Sequence, residues 1–346
     1  PFVFFLTFAL KLIDKMMIER GRMQDEKWKT WGPYVSNRQW GNVREDYSTD
    51  GNAWEYTSHN RAESYTYRWA EEGIGGISDD KQLLCFALSF WNGNDAMIKE
   101  RFFGLSNYQG NHGEDIKEIF YYLDNTPTHS YMKMVYKYPI NAFPYEDLIA
   151  ENGRRNKNDA EYELIDTKIF DKDEYFDIFI EYCKADPDDI LVRITVENRS
   201  SKAAPIHILP TLWFRNNWKW GYNDYKGQLS STRNSEIDIN HNEIGFKKMY
   251  SRIWNSEPVF CENETNTPKL FGFPAVENQY YKDGINDHII HGKSTINKEK
   301  KGTKAAFLIK DIVEANGSKT FEFRLAPHHL DDPFWNFDEV FYHPGF

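Results

Sequence analysis

Cysteine is scarce in this chain: its 346 residues include only three, Cys85, Cys183 and Cys261. They lie far apart and form no CxxC pair, which argues against a disulfide framework and against a zinc site built on thiolates. Each sits in an apolar, strand-like run, so we expect three inert core thiols. A chain of this kind suits a reducing compartment, and we expect a cytoplasmic location.

A surplus of positive charge is also missing. Lys and Arg number 42 against 53 Asp and Glu, for a formal net charge of -11, whereas nucleic-acid binding needs clustered basic residues. The apolar run at residues 1–13 is shorter than the roughly 20 residues of a membrane span and lacks the flanks of a signal peptide. We expect neither nucleic acid nor a membrane as partner. Residues 1–30 are interpreted as an N-terminal extension whose authenticity the sequence leaves open.

Cofactor and catalytic motifs are absent as well. The stretch "GIGGIS" does not complete GxGxxG, "HGKS" lacks the first glycine of a phosphate-binding loop, and neither GxSxG nor HExxH occurs. We therefore expect no cofactor. The segment "GNHGED" around His112 is more typical of a polar Gly-rich turn than of a metal site. Acidic pairs such as Glu45–Asp46 and Glu114–Asp115 do not place an acid opposite a base, so no catalytic residue is assigned.

Aromatic residues are abundant, at 16% of the chain with 11 Trp. Such side chains serve as platforms for the apolar faces of sugar rings, and they are equally ordinary core material of β-sandwiches. Composition alone therefore leaves a sugar-binding surface and a buried aromatic core both open.

The dominant periodicity is that of β-strands. "DILVRITVENRS" (189–200) alternates apolar and polar residues, and we interpret it as an antiparallel neighbour of "IHILPTLWFRN" (206–216). "TKAAFLIKDIVEANGSKTFEFRLA" (303–326) predicts a hairpin that turns at "EANGSK". Short helices are predicted in "NAFPYEDLIAENGRR" and in "DDPFWNFDEVF", which has an Asp cap and a first-turn Pro. The fold class predicted is mainly β: one large antiparallel β-sandwich over residues 31–327.

Several motifs together resemble one family. They are "WGPYVSNRQWGNVREDYSTDGNAWEY" (31–56), "YRWAEEGIGGISD" (67–79), "LCFALSFWNGND" (84–95), "LPTLWFRNNW" (209–218) and "YYKDGINDHIIHG" (280–292). With the segments between them, they are similar to the N-terminal part of glycoside hydrolase family 63-like glucosidases, also labelled mannosyl-oligosaccharide-glucosidase-like. The resemblance runs from Trp31 to about Phe341.

The resemblance implies a specific architecture and chemistry. Members of that family carry an N-terminal β-sandwich, the super-sandwich, joined by a linker to an (α/α)6 barrel, and they hydrolyse α-glycosidic bonds with inversion. Their catalytic Asp and Glu belong to the barrel, and no position of this chain matches either motif. Residues 328–346 are then expected to begin a truncated linker helix. The expected partners are the missing C-terminal (α/α)6 barrel and an α-linked glucoside or oligosaccharide.

Twelve residues are candidates for a surface that meets the barrel or the substrate. They are Trp31, Arg38, Trp40, Arg44, Glu45, Asp46, Asn111, His112, Glu114, Asp115, Trp213 and Arg215. The tryptophans among them can equally be sandwich core. Two functions remain open: a non-catalytic β-sandwich portion of an α-glucosidase-type hydrolase, and a stand-alone carbohydrate-binding or scaffold protein derived from it.

Overall fold

A computed structural model describes residues 17–34, 58–67, 69–105, 107–112, 115–221 and 225–342. The protein is mainly β with short helices, as predicted. The first strands are β1 (Trp31–Pro33), β2 (Ile74–Asp79), β3 (Leu84–Trp91), β4 (Gly104–Leu105), β5 (Asp115–Ile116), β6 (Ile119–Asn125), β7 (Tyr131–Pro139), β8 (Tyr175–Asp186) and β9 (Asp189–Asn198). They are followed by β10 (Ala204–Phe214), β11 (Gln228–Ser230), β12 (Glu236–His241), β13 (Gly245–Ser251), β14 (Glu257–Cys261), β15 (Lys301–Gly302), β16 (Lys304–Val313) and β17 (Ser318–Ala326).

These strands form two large antiparallel sheets and one small one. The six-stranded sheet has the order β1-β2-β3-β10-β16-β14, and the nine-stranded sheet has the order β15-β11-β12-β13-β17-β9-β8-β7-β6. Strands β4 and β5 pair with each other only. The central core contains side chains from both large sheets, such as Phe86 and Leu212 from one and Tyr136, Ile194 and Phe323 from the other. The molecule is therefore a sandwich of two sheets around one apolar layer.

Two of the predicted strand pairings are wrong. Strand β10 pairs with β3 and β16, whereas β9 pairs with β8 and β17. Likewise β16 and β17 belong to different sheets, so the predicted hairpin at "EANGSK" does not exist. Both connections, residues 199–203 and 314–317, cross from one sheet to the other. The alternation of each strand was correct, but it shows only that one face is buried, and both sheets bury a face in the same core.

The two crossing connections bind each other at one end of the sandwich. The backbone N–H of Asn198 donates to the carbonyl of Gly317 at 2.9 Å, and that of Asn316 donates to the carbonyl of Ser200 at 2.9 Å. The side chain of Asn198, which is 1% exposed, donates to the carbonyls of Lys202 at 2.8 Å and Val313 at 2.9 Å. One buried amide thus joins the two connections.

Besides a helical stretch at residues 17–22, the described part of the chain has five α-helices outside the sheets: α1 (His59–Ala62), α2 (Tyr145–Arg154), α3 (Thr267–Phe271), α4 (Gly284–His291) and α5 (Phe337–Tyr342). The helix predicted in "NAFPYEDLIAENGRR" is confirmed as α2. The helix predicted in "DDPFWNFDEVF" begins later than its Asp cap implied, because residues 333–336 form turns. There the Arg324 guanidinium donates to the Pro333 carbonyl and the Asn336 side chain, both at 2.8 Å. Among these described helices, none has the length and hydropathy to cross a bilayer.

The cysteine prediction is confirmed: Cys85, Cys183 and Cys261 are all buried, and none forms a disulfide bond. Burial raises the pKa of the Cys85 thiol well above its usual value, and it raises that of Cys261 to about 12. Both thiols therefore stay protonated and unreactive at neutral pH.

Candidate functional site

Six of the twelve predicted site residues, Arg38, Trp40, Arg44, Glu45, Asp46 and Glu114, lie outside the described residues. The other six fall in three separate places: Trp31 at one end of the sandwich, residues 111–115 on a side lobe, and Trp213 with Arg215 on the outside of the six-stranded sheet.

Trp31 is part of the apolar core rather than of an exposed surface. It is 1% exposed, and its indole Nε1 donates to Asp188 Oδ1 at 2.7 Å. Its carbonyl accepts a hydrogen bond from Lys184 Nζ at 2.5 Å, and the carbonyl of Trp28 accepts another from the same ammonium at 2.7 Å. Burial lowers the pKa of Lys184 to about 8, although the charge of Glu19 opposes this. Trp31 thus anchors the N-terminal segment to the nine-stranded sheet.

The segment around "GNHGED" packs against the loop after α2. The Asn111 side chain donates to the Asp159 carbonyl at 3.2 Å, and His112 Nε2 lies 2.7 Å from the same carbonyl. His112 is exposed, whereas Asn111 is buried. These contacts orient the loop through backbone carbonyls and bring no second catalytic group to His112.

A carboxylate cluster at the base of this loop holds an ammonium group. Asp115, Glu161 and Glu163 are close enough together to ligate a metal ion. The fully buried Lys117 Nζ, however, lies 2.7, 2.6 and 3.1 Å from their respective oxygens. Burial alone would lower the pKa of Lys117, but its hydrogen bonds to Asp115 and Glu161 outweigh this and raise it. Lys117 supplies the cation that these carboxylates need.

Trp213 and Arg215 lie together on the outside of the six-stranded sheet. Trp213 is 4% exposed, its indole donates to the Ala70 carbonyl at 3.2 Å, and it packs with Tyr34 and Cys85. The Arg215 guanidinium carbon lies 4.7 Å from the ring centroid of Trp69. Both residues therefore meet the segment that precedes β2.

Beside them lies a group of buried charges that sequence reasoning missed. We call it the outer-face cluster: Glu72, Glu100, Arg101, Lys282 and Lys304, all buried or nearly so. Lys304 Nζ lies 2.9 Å from Glu100, Arg101 lies 2.8 Å from Glu100 and 3.6 Å from Glu72, and Lys282 bonds Glu72. Each of the two carboxylates thus has two cationic partners, and Arg101 is a partner of both. Buried charges require such pairing.

The electrostatics of this cluster do not suit a proton donor. Burial would raise the pKa of Glu100, but the charges of Lys304, Arg101 and Lys282 lower it to about 2. Burial lowers the pKa of Lys282 to about 8 against the opposing charge of Glu72. A general acid for glycoside hydrolysis needs a raised carboxyl pKa, so Glu100 is suited to holding structure.

A second carboxylate on the same side, Glu264, is held by four donors. Trp218 Nε1 lies 3.0 Å, Lys226 Nζ 2.6 Å and Gln279 Nε2 2.9 Å from its oxygens, and Lys219 lies 3.6 Å away. Burial would raise the pKa of Glu264, but the bonds to Lys226 and Trp218 lower it. Gln279 also lines an open polar cavity of about 470 Å³.

Exposed aromatic side chains border this region. Phe271 is 45%, Phe273 59% and Val276 59% exposed. The aromatic rings form a series: the ring centroid of Phe271 lies 5.9 Å from that of Tyr65 and 6.1 Å from that of Phe273. We call residues 271–276 the aromatic loop. A run of exposed apolar side chains beside a polar region is typical of an interaction surface.

The outer-face cluster predicts a loss of stability in acid. Because the pKa of Glu100 is lower in the folded protein than the usual 4.5, the unfolded chain binds more protons between those values. The stabilisation is therefore complete above about pH 4.5 and is lost as the pH falls toward 2, by an amount on the order of 3 kcal/mol. We expect Glu100→Gln to flatten the dependence of the urea-unfolding free energy on pH over this range.

The matched control is Glu299→Gln, which removes an exposed carboxylate that pairs with Lys301 at the surface. It should leave the acid limb of the stability curve almost unchanged. Equal slopes in the parent and in Glu100→Gln would show that Glu100 is not held ionised by its neighbours.

Weak signals for the missed residues existed in the sequence. "WAEEGIGG" and "MIKERFF" place charges inside apolar, strand-flanking runs, and Lys304 is followed in its strand by the apolar run at residues 305–309. Lys, Glu and Arg are almost never fully buried without a partner. Nothing in the sequence, however, pairs position 72 with 282 or 100 with 304; only the fold joins them.

Comparisons with known proteins give one sequence relative and several structural neighbours. No family model matches the chain. The chain is 38% identical over 333 residues to the uncharacterized protein YMR196W of Saccharomyces cerevisiae, in an alignment that covers 86% of this chain. This chain spans 31% of the length of that relative.

The structural neighbours have low scores. A polysaccharide lyase gives a TM-score of 0.32 at 10% identity, over 86% of this chain and 30% of the other. A putative kojibiose phosphorylase from human microbiome gives 0.29 at 11%, over 78% and 29%. A heparinase III gives 0.24 at 11%, over 66% and 29%.

Proposed function

We propose that this chain is the non-catalytic β-sandwich portion of a longer protein of the glycoside hydrolase family 63-like, α-glucosidase type. In this proposal the rest of the longer protein hydrolyses an α-glucosidic bond with inversion, and the sandwich supports it. The motifs quoted above and the length of the yeast relative support the proposal. The cytoplasmic location expected from the cysteine content belongs to the same proposal.

The observation that carries the proposal is the state of the carboxylates on the outside of the six-stranded sheet. Inverting hydrolysis needs a protonated acid facing a carboxylate base across about 6.5–9.5 Å, with room for water. Glu100 and Glu264 instead have lowered pKa values and are bound by Lys or Arg side chains. Burial raises the pKa of the neighbouring Glu262, but its carboxylate is engaged by the Thr303 hydroxyl at 2.7 Å. Such groups stabilise a surface and do not transfer protons, so the chemistry is assigned to the remainder of the longer protein.

The surface proposed to meet that remainder is the aromatic loop. Phe271 and Phe273 expose about half of their side chains to solvent, at 45% and 59%. Removing apolar surface from water contributes on the order of 25 cal/mol per Å², so a packed partner domain would stabilise both proteins. The partner proposed is the (α/α)6 barrel implied by the resemblance.

Turnover of α-glucosides by three proteins tests this proposal. The 346-residue chain alone is expected to show none, while the full-length yeast relative and a chimera carrying this chain in place of its matching segment are expected to be active. In the chimera, Phe271→Asp with Phe273→Asp should reduce activity, because charged side chains would prevent the apolar contact. The matched control is Tyr121→Asp, which changes an aromatic residue 58% exposed on β6 of the other sheet.

Two outcomes would contradict the proposal. Turnover by the chain alone would place the catalytic groups within it. An inactive full-length relative, tested on aryl α-glucosides and on α-linked oligosaccharides, would remove the assigned chemistry.

A further inference from the structure

A second open cavity lies where the two sheets separate, on the side of β14. Strand β14 pairs with residues 304–308 of β16. Beyond residue 308, β16 continues to Val313 and, among the described strands, pairs with β10 alone. The cavity left beside this free edge has a volume of about 590 Å³, within the range of small-ligand sites. We call it the edge cleft. Its lining includes Asn255, Glu257, Leu308, Lys310, Lys319 and Phe321.

Trp254 stands at the rim of the edge cleft. It is 84% exposed, and both of its chain neighbours, Ile253 and Asn255, line the cleft. The loop that carries it is well held, because the hydroxyls of Ser235 and Ser256 donate to the Ile253 carbonyl at 2.5 and 3.0 Å. A tryptophan this exposed on a fixed loop offers a flat apolar face to a ligand.

Polar groups in the cleft are uncommitted. Within the described ranges, the side chains of Asn255, Glu257 and Lys310 make no hydrogen bond or ion pair with another residue. They supply an amide, a carboxylate and an ammonium group to a lining that also includes Leu308, packed on the outside of the six-stranded sheet, and Phe321, packed in the central core. An apolar platform with separate donors and acceptors around it matches the two faces and the hydroxyl rim of a pyranose.

The free edge of β16 is not shaped to accept another strand. The backbone N–H of Ile312 already donates to Asp311 Oδ1 at 2.7 Å, and Lys319 Nζ lies 2.5 Å from the same oxygen. Because the Asp311 side chain occupies an amide of its own strand and a lysine lies beside it, this edge disfavours pairing with another strand. A peptide that paired with this edge as a strand could not use the Ile312 N–H as a donor. Each sugar hydroxyl, by contrast, needs only one separate hydrogen-bond partner.

We propose that the edge cleft is a non-catalytic saccharide-binding site. One sugar ring stacks on the Trp254 indole, and its hydroxyls bind the side chains of Asn255, Glu257 and Lys310. Only the α-linked glucose class rests on the proposed function; the site itself is argued from its own geometry.

Calorimetric titration of the 346-residue chain with maltohexaose tests the site. Binding is expected at millimolar concentration or below, and Trp254→Ala should weaken it by at least about tenfold through loss of the stacking surface. Asn255→Ala should weaken it less. Since both residues are exposed, the urea midpoints of these variants should equal that of the parent. The matched control, Trp220→Ala, removes an indole from another part of the surface and should leave the affinity unchanged.

The remaining outcomes separate this inference from the proposed function. Absence of binding to both maltohexaose and cellohexaose, or equal affinities of the parent and Trp254→Ala, overturns the site. Binding of cellohexaose alone, abolished by Trp254→Ala, supports a saccharide site and contradicts the α-linked class. Turnover by the longer proteins is measured separately and does not depend on Trp254.

Discussion

Glu118→Ala is expected to lower the free energy of unfolding by about 3–5 kcal/mol, because it leaves a buried ammonium group without its counter-ion. Lys99 and Glu118 form an ion pair at 2.6 Å in which neither side chain is exposed. Burial would lower the pKa of Lys99, but the charge of Glu118 outweighs it and raises that pKa above its usual value. The Lys99 ammonium is thus charged throughout the neutral range.

The loss extends beyond the ion pair. Glu118 also accepts hydrogen bonds from the Phe103 backbone N–H at 3.1 Å and from the Tyr136 hydroxyl at 2.9 Å. Both donors would remain buried without that acceptor. Lys99 would retain the Tyr145 hydroxyl at 2.7 Å and the Phe143 ring at 3.9 Å, which provide no negative charge.

Urea unfolding at neutral pH measures the effect, with Glu161→Ala as the matched control. Glu161 also pairs with a fully buried lysine, Lys117, but that lysine keeps Asp115 and Glu163 when Glu161 is removed. The control should therefore cost less than about 1 kcal/mol. Similar losses in the two variants would show that the Lys99–Glu118 pair contributes no more than a surface ion pair.

Asn198→Ala is expected to lower the free energy of unfolding by about 2–4 kcal/mol, because one buried and one partly buried carbonyl lose their donor. Its side chain donates to the carbonyls of Lys202 and Val313 and accepts from the Ser200 backbone N–H at 2.9 Å. These bonds join the two connections that cross between the sheets. Asn198 is 1% exposed. A water molecule can therefore replace its amide only if the substitution leaves a cavity large enough to hold one.

An almost identical motif in a surface loop supplies the control. Asn297 donates to the carbonyl of Lys301, four residues ahead, at 2.8 Å and accepts from the Glu299 backbone N–H at 2.9 Å. Because solvent reaches this loop, Asn297→Ala should cost less than about 1 kcal/mol. Equal urea-unfolding free energies for the two variants would mean that burial of Asn198 adds nothing to its local hydrogen bonds.

The sequence predicted the elements better than it predicted their neighbours. Alternation located β9, β10, β16 and β17, because a half-buried strand must place every second side chain in the core. It could not assign a strand to a sheet, since both sheets bury the same kind of face. Short connections after Asn198 and after Val313 favoured hairpins, yet each crosses the sandwich.

The candidate site was less predictable than the fold. Trp213 and Arg215 do lie beside a group of converging charges, but the partners come from distant positions such as Glu72 and Lys282. Charged residues are expected on the surface, so a buried lysine is recognised only once its partners are placed. Trp31 was open to either interpretation, and its burial and its bond to Asp188 favour the core.

The position of β17 has a consequence for synthesis. This strand, Ser318–Ala326, lies between β13 and β9 in the nine-stranded sheet and is translated after the other strands of the described residues. Until it emerges from the ribosome, the four strands on one side of it and the four on the other remain separate, each with an unsatisfied backbone edge. Distant pairing of this kind slows folding and prolongs exposure to aggregation. The nascent sheet is therefore exposed to aggregation until β17 joins its two halves.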